Sequence, residues 1–190
     1  MSYREINFAS QNQGSGKTTL AAYFAERLAK DGNKIIIADF NVEAPAIHHF
    51  HKPISSKHED FTGQKVAKID QDACIHCAMC QEACKFNAIE NKVDFEVNEF
   101  RCDGCGDCME ACPLDGIELV PKIAGQMFIA ETAAGILIYG KMRPGSDNPA
   151  KLINIINETV KKLASEIKPD YVIIDGNTNF ADHKENGAGK

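Results

Sequence analysis

No apolar run in this 190-residue chain approaches the ~18 residues that a membrane-spanning helix needs, so a helical membrane span is not expected. The first residues are polar and lead directly into a strand-like run, so no secretory signal is expected either. An excess of positive charge is also missing. Lys and Arg number 21 against 27 Asp and Glu, a net charge of −6, which argues against nucleic acid as a partner. Cysteine is missing from residues 1–73 and 113–190. A cytoplasmic location, where thiols stay reduced, is the expectation that follows. The length allows one medium domain or two small ones, and an apolar content of 44% is ordinary for a globular protein.

What is present is concentrated in residues 74–112, which hold all eight cysteines in two copies of one spacing. Cys74, Cys77, Cys80 and Cys84 form the first C-x-x-C-x-x-C-x-x-x-C run. Cys102, Cys105, Cys108 and Cys112 form the second, which ends in Pro113. The copies are an internal repeat shifted by 28 positions, since Glu82, Ala83, Ile89 and Glu90 recur as Glu110, Ala111, Ile117 and Glu118. Two-residue gaps let a tight loop turn three thiolates toward one iron–sulfur cube, and the three-residue step carries the fourth to a neighbouring cube. The expected ligand sets are therefore Cys74, Cys77, Cys80 and Cys112 for one [4Fe–4S] cluster, and Cys102, Cys105, Cys108 and Cys84 for the other. Structural zinc prefers two C-x-x-C pairs split by a longer loop, and disulfides require an oxidising compartment. Over residues 66–120 the segment resembles bacterial-type two-cluster ferredoxins. It departs from them at Cys84-Lys85, where Cys-Pro is frequent. Lys85 is expected to place a cation near a cluster and shift its reduction potential modestly.

Upstream, residues 5–10 read as a strand, and Gln13-Gly14-Ser15-Gly16-Lys17-Thr18-Thr19 follows. Residues 18–30 read as a helix with Leu20, Phe24 and Leu28 on one face and Gly32 as its stop. A strand, a glycine-bearing turn with Gly-Lys-Thr, and a helix make the setting of a phosphate-binding loop. Backbone N–H groups around Gly14, Ser15, Gly16 and Thr19 would cradle phosphates, Lys17 would reach the outer phosphates, and Thr18 would hold Mg²⁺. The plain alternative is a strand–turn–helix with an exposed lysine. Residues 33–39 read as a buried strand that ends in Asp39-Phe40-Asn41-Val42-Glu43-Ala44-Pro45. His48, His49, His51 and His58 follow and read as solvated loop histidines rather than metal ligands.

Residues 53–68 read as a polar connector, and Pro121-Lys122 as the exit from the cysteine-rich segment. Residues 127–130 and 136–139 read as a β-hairpin, and 142–147 as a loop. Asn148 and Pro149 look like the N-cap and first position of a helix with an apolar stripe at Leu152, Ile156, Val160, Leu163 and Ile167. Residues 171–175 read as a buried strand ending in Asp175, a Walker B form in which the aspartate meets the Mg²⁺ shell. Residues 181–190 form a polar tail.

The order of these motifs resembles MinD/ParA-superfamily P-loop ATPases with an inserted ferredoxin domain, over residues 3–176. The family reads Gly-Lys-Gly-Gly-Thr-Gly-Lys-Thr-Thr from position 11, where this chain has Gln11, Asn12 and Gln13 in place of the first three residues. Its switch segment reads Asp-x-Asp-x-Glu-Ala-Pro. Asp39 matches the first aspartate, and Asn41 stands at the second. Asn179 lies where the glycine that senses phosphate is expected. The resemblance implies an α/β fold. It is a P-loop NTPase-like parallel sheet, incomplete at its C-terminal end with an apolar edge exposed, carrying an inserted α+β ferredoxin-like lobe. The domains implied are 1–53 with 125–180, and 62–122. The cofactors implied are two [4Fe–4S] clusters, ATP or ADP, and Mg²⁺. Lys17 and Asp39 are the catalytic candidates, with hydrolysis weak or absent because of the three asparagines. The function implied is nucleotide-responsive electron transfer to a redox partner protein, with homodimerisation also implied. A cluster-assembly scaffold and a ferredoxin on a degenerate P-loop scaffold are the alternatives.

Overall fold

The structure, a computed structural model, describes residues 3–9, 14–146 and 148–176. The chain divides into two units. One comprises residues 1–61, 125–144 and 148–190, and the other residues 62–124 and 145–147.

The first unit is built on strands β1 (Arg4–Phe8), β2 (Ile35–Asp39), β7 (Gly135–Met142) and β8 (Tyr171–Asp175). Two longer strands, β3 (Ser55–Ile69) and β6 (Ile117–Thr132), begin in one unit and end in the other. The six-stranded order is β1-β8-β2-β7-β6-β3. β1, β8, β2 and β7 are parallel neighbours, and β6 runs antiparallel to β7. The sheet is therefore mixed: its parallel part has the arrangement of a Rossmann-like core, and its antiparallel pair is the hairpin read at residues 127–130 and 136–139. The reason is local. Thr132 and Gly135 pair across a two-residue turn at Ala133 and Ala134, and so tight a turn reverses the chain.

β2 is buried along its whole length, as a strand covered on both faces must be, and its Ile-Ile-Ile-Ala run supplies the apolar surface. Helix α1 (Lys17–Lys30) covers one face of the sheet, and α5 (Pro149–Ile167) covers the other. Ala21 and Ala25 of α1 pack with Ile35, Ile37, Leu137, Tyr139 and Ile173. On the opposite face Gly140 lets α5 approach closely, because a Cβ there would lie 2.8 Å from a methyl of Leu152. A short helix, α2 (Ile47–Phe50), anchors Ile47 in the first core.

Three expectations are corrected. The buried stripe of α1 is Ala21, Ala22 and Ala25, while Leu20 and Phe24 are 51% and 42% exposed. Small side chains let the helix axis come close to the sheet, which turns the larger neighbours outward. Residues 53–68 are not a connector. They lie almost wholly within β3, a charged outer strand whose backbone pairs with β6. Pro121 and Lys122 lie inside β6 rather than at an exit. As expected, Asn148 is the N-cap of α5 and Pro149 its first residue, although the Asn148 side chain makes no capping hydrogen bond.

The second unit holds the hairpin of β4 (Ile89–Asn91) and β5 (Phe95–Val97) and two short helices, α3 (Met79–Ala83) and α4 (Asp107–Glu110). The 28-residue repeat is written into its backbone. His76, Ala78 and Asn87 have positive φ, and so do their counterparts Gly104, Gly106 and Asp115. Asp70 N–H donates to Gly116 O, and Asn98 N–H donates to Ala88 O, which is the same bond exchanged between the copies. Phe95, Ile69, Ile89 and Ile117 fill the small core between them.

Candidate functional site

The C-terminal ends of the parallel strands gather most of the residues singled out at the start of the chain. Gly14 and Gly16 both take left-handed backbone, at φ 76° and 81°, so the chain turns sharply from β1 into α1. Gly16 occupies the N-cap without a side-chain cap, which leaves the first turn of α1 open; Gly14, Ser15 and Gly16 are exposed. Thr18 Oγ1 donates to Asp175 Oδ2 at 2.5 Å, joining the first turn of α1 to the end of β8. Lys17 Nζ donates to Gly176 O at 3.4 Å. Thr19 is exposed and stands apart from these contacts. Gly176 is a partner that the sequence did not mark, because a backbone carbonyl carries no residue signature.

Asp39 and Asp175 stand side by side in register on β2 and β8. Asp175 is almost fully buried. Burial raises its carboxyl above the usual carboxylate range, opposed by the Thr18 hydrogen bond and the Lys17 charge. Asp39 is fully buried and is pushed up to about 6, again by burial above all. Its two oxygens accept three backbone N–H bonds. Asn41 donates to Oδ1 at 3.0 Å; Ala46 and Ile47 donate to Oδ2 at 2.9 and 3.1 Å. Asn12 and Asn179, read against the family pattern, lie outside the described residues, as do Gln11 and Gln13.

The histidines are not uniformly solvated. His51 is buried, with Nε2 3.0 Å from Ala22 O, so it ties the end of α2 to α1. His48 stacks on Tyr139, and Tyr139 stacks on Phe128, with centroids 4.9 and 4.8 Å apart. His49 and His58 are exposed.

In the second unit the eight thiols are free and line two cavities. Cys74, Cys77, Cys80 and Cys112 border one; Cys84, Cys102, Cys105 and Cys108 border the other. The fourth cysteine of each run thus lies with the first three of the other. Cys80 and Cys108 are buried, which raises both thiols, Cys108 to about 11. Ala67 N–H points to Cys102 Sγ at 3.4 Å, and Ala88 N–H points to Cys84 Sγ at 3.3 Å. Lys85 forms a 3.0 Å ion pair with Asp107, and its charge also lies close enough to Cys105 to interact with that thiol.

The cofactor expectation is corrected on this geometry. Among the described residues, no three His, Cys, Asp or Glu side chains are grouped so as to hold a metal ion. The thiols stand around the cavities without that convergence. Two bound [4Fe–4S] clusters, electron transfer through them and its gating by ATP or ADP with Mg²⁺ therefore lack a described ligand cage. The scaffold and ferredoxin alternatives rest on the same grouping and are corrected with it. Among the described residues no helix is long and apolar enough to cross a membrane.

Comparison with known proteins adds two likenesses. The chain is 33% identical over 173 residues to an uncharacterized protein of Methanocaldococcus jannaschii, an alignment that covers 90% of this chain. The chain spans 59% of that relative's length. Residues 67–119 match the 4Fe-4S dicluster domain family, so by sequence a domain of that family is present within the cysteine-rich unit.

Proposed function

We propose that the strand-end site of the first unit binds the phosphate groups of a nucleotide, in a P-loop-like turn of the MinD/ParA kind. The domain pattern that goes with this reading is an α/β nucleotide-binding body of residues 1–53 and 125–180, with residues 62–122 inserted. The observation that carries it is the 2.5 Å hydrogen bond from Thr18 to Asp175, made one residue after Lys17 at an open helix start. A helix N-terminus offers backbone donors and the positive end of a dipole to an anion. Gly14 and Gly16 let that backbone face a ligand, since a Cβ at either would meet nothing within 4 Å and the left-handed φ suits glycine. Open α/β sheets bind ligands at the carboxyl ends of their strands, where this constellation lies.

Lys17 supplies the cation. Its bond to the Gly176 carbonyl is long, at 3.4 Å, and giving it up for a charge-assisted bond to phosphate is favourable by about 1–2 kcal/mol net. Thr18 and Asp175 hold the turn against β8, so the donors are set before ligand arrives. Asp39 has both oxygens engaged by backbone N–H groups, which hold its carboxylate in place at the end of β2.

Isothermal titration with ADP and with inorganic tripolyphosphate tests the reading. The wild-type chain should bind both. Lys17→Ala should weaken binding more than 30-fold, about 2 kcal/mol or more, by removing the charge at the phosphates. Equal affinity in wild type and Lys17→Ala, or no binding in either, would refute it.

A further inference from the structure

The loop between β2 and α2 runs from Phe40 to Ala46 and starts at the strand-end site, where Phe40 N–H donates to Asp175 O at 2.8 Å. It carries no regular structure of its own apart from a turn closed by Ala44 N–H on Asn41 O. What spans it is one side chain. Asp39 Oδ1 receives the N–H of Asn41, two residues on, and Oδ2 receives those of Ala46 and Ile47, seven and eight residues on. Ala46 and Ile47 are the N-cap and first residue of α2, positions whose N–H groups have no acceptor within the helix. Ile47 and Val42 are buried, so the loop is pinned to the core at two further points. Met142 N–H reaches Val42 O at 2.8 Å, fastening the middle of the loop to the end of β7.

We propose that Asp39 is a positioning residue: its carboxylate clasps both ends of the 40–47 loop and holds that loop closed beside the strand-end site, without itself touching the ligand. The assignment rests on the phosphate-site reading only where ligand affinity is concerned; the clasp is a property of the chain alone. It differs from the catalytic role that the position in the sequence suggested. A carboxylate that meets a metal-bound water or a phosphoryl group needs an oxygen facing the ligand. Here one oxygen is held by Asn41 and the other is shared by two donors. The register neighbour Asp175 is different, since it meets the Thr18 hydroxyl and the Lys17 charge of the glycine turn and α1. The two aspartates therefore divide the work: Asp175 orders the phosphate turn, and Asp39 orders the loop that borders it.

Amide hydrogen exchange read by NMR on the full chain tests the clasp directly. In wild type the amides of Ala46 and Ile47 should exchange at least tenfold more slowly than coil values. Asp39→Asn keeps an oxygen for Asn41 but loses the shared acceptor. In that variant the Ala46 and Ile47 amides should exchange at least tenfold faster than in wild type, while Asn41 and the amides of β2 and β8 keep their protection. Asp39→Ala should release Asn41 as well. Tripolyphosphate affinity should fall threefold to tenfold in Asp39→Asn, well short of the loss in Lys17→Ala. Coil-like exchange at Ala46 and Ile47 in wild type overturns the proposal without any variant. Unchanged exchange in Asp39→Asn overturns it too, and does so decisively if binding is lost as fully as in Lys17→Ala, because Asp39 would then contact the ligand. Should wild type fail to bind tripolyphosphate, the phosphate reading falls and the exchange data alone decide the clasp.

Discussion

Asp39 and Asp175 show how two like residues in adjacent register acquire different chemistry from their partners. Both are removed from water, which favours the protonated form, but only Asp39 is surrounded by three peptide donors. Even so, burial wins, and its carboxyl rises from 3.8 to about 6. Between these values the folded chain holds a proton on Asp39 that the unfolded chain has released. More protons bound in the native state means that stability falls as pH rises through this window. At a slope approaching ~1.4 kcal/mol per pH unit, the decline attributable to Asp39 is about 2 kcal/mol from pH 4 to pH 6. Urea unfolding of wild type and Asp39→Asn across pH 4–7 should therefore show wild type losing ground to the variant as pH rises. A difference that stays constant with pH would mean that burial does not control this carboxyl.

At the scale of elements, α1 and α5 meet the sheet in different ways. α5 buries the stripe that its sequence displays, with Leu152, Ile156 and Val160 inward, and Leu152 and Ile156 fill the space over Gly140. α1 buries alanines and leaves Leu20, Tyr23 and Phe24 largely exposed, so its apolar spacing misleads by one position. Leu152→Ala should cost about 2–5 kcal/mol through lost burial and an unfilled cavity, whereas Leu20→Ala should stay within about 0.5 kcal/mol. Thermal or urea denaturation separates the two; a large cost at Leu20 would place it against protein rather than solvent. The repeated turns of the second unit show the same play of neighbours. Gly104 is irreplaceable, since a Cβ would lie 2.3 Å from Lys65 O, whereas its counterpart His76 tolerates a side chain at φ 55°. One copy of the repeat is crowded by β3, and the other is open enough for His76 to pair with Asp94.

Over the whole molecule, chemistry is divided between the two units: carboxylates, a lysine and glycine turns in the first, thiols in the second. The thiols differ sharply in access. Cys77 and Cys105 are exposed, while Cys80 and Cys108 are buried and their thiols raised by that burial. Because the thiolate is the nucleophile, both burial and a raised pKa slow alkylation. In the reduced protein at pH 7.5, maleimide should modify Cys77 and Cys105 at least tenfold faster than Cys80 and Cys108, as read by peptide mass spectrometry. Uniform rates across all eight would show that the small core around Phe95 does not hold.

Local devices are legible in the residue string. The spacing of the cysteines and the 28-residue repeat are readable as they stand, and so are the Gly-Lys-Thr turn, the hairpin of residues 127–130 and 136–139 and the Pro149 helix start, because each depends on residues close together in the chain. The match to the dicluster domain family follows from the same spacing. Pairings between residues far apart in the chain are set by packing. β3 is a strand because β6 lies beside it, against a polar composition that signals a connector. Lys85 is neutralised by Asp107, 22 positions away in the other repeat. The thiols divide between two cavities without grouping around a metal ion among the described residues, a matter of side-chain placement that spacing does not set. Asp39 was a catalytic candidate by resemblance alone, whereas three peptide groups, two of them brought back by the fold, claim both of its oxygens. Motifs state which groups are near in sequence; hydrogen-bond partners are assigned by packing, and packing is what turns a side chain toward ligand or toward its own backbone.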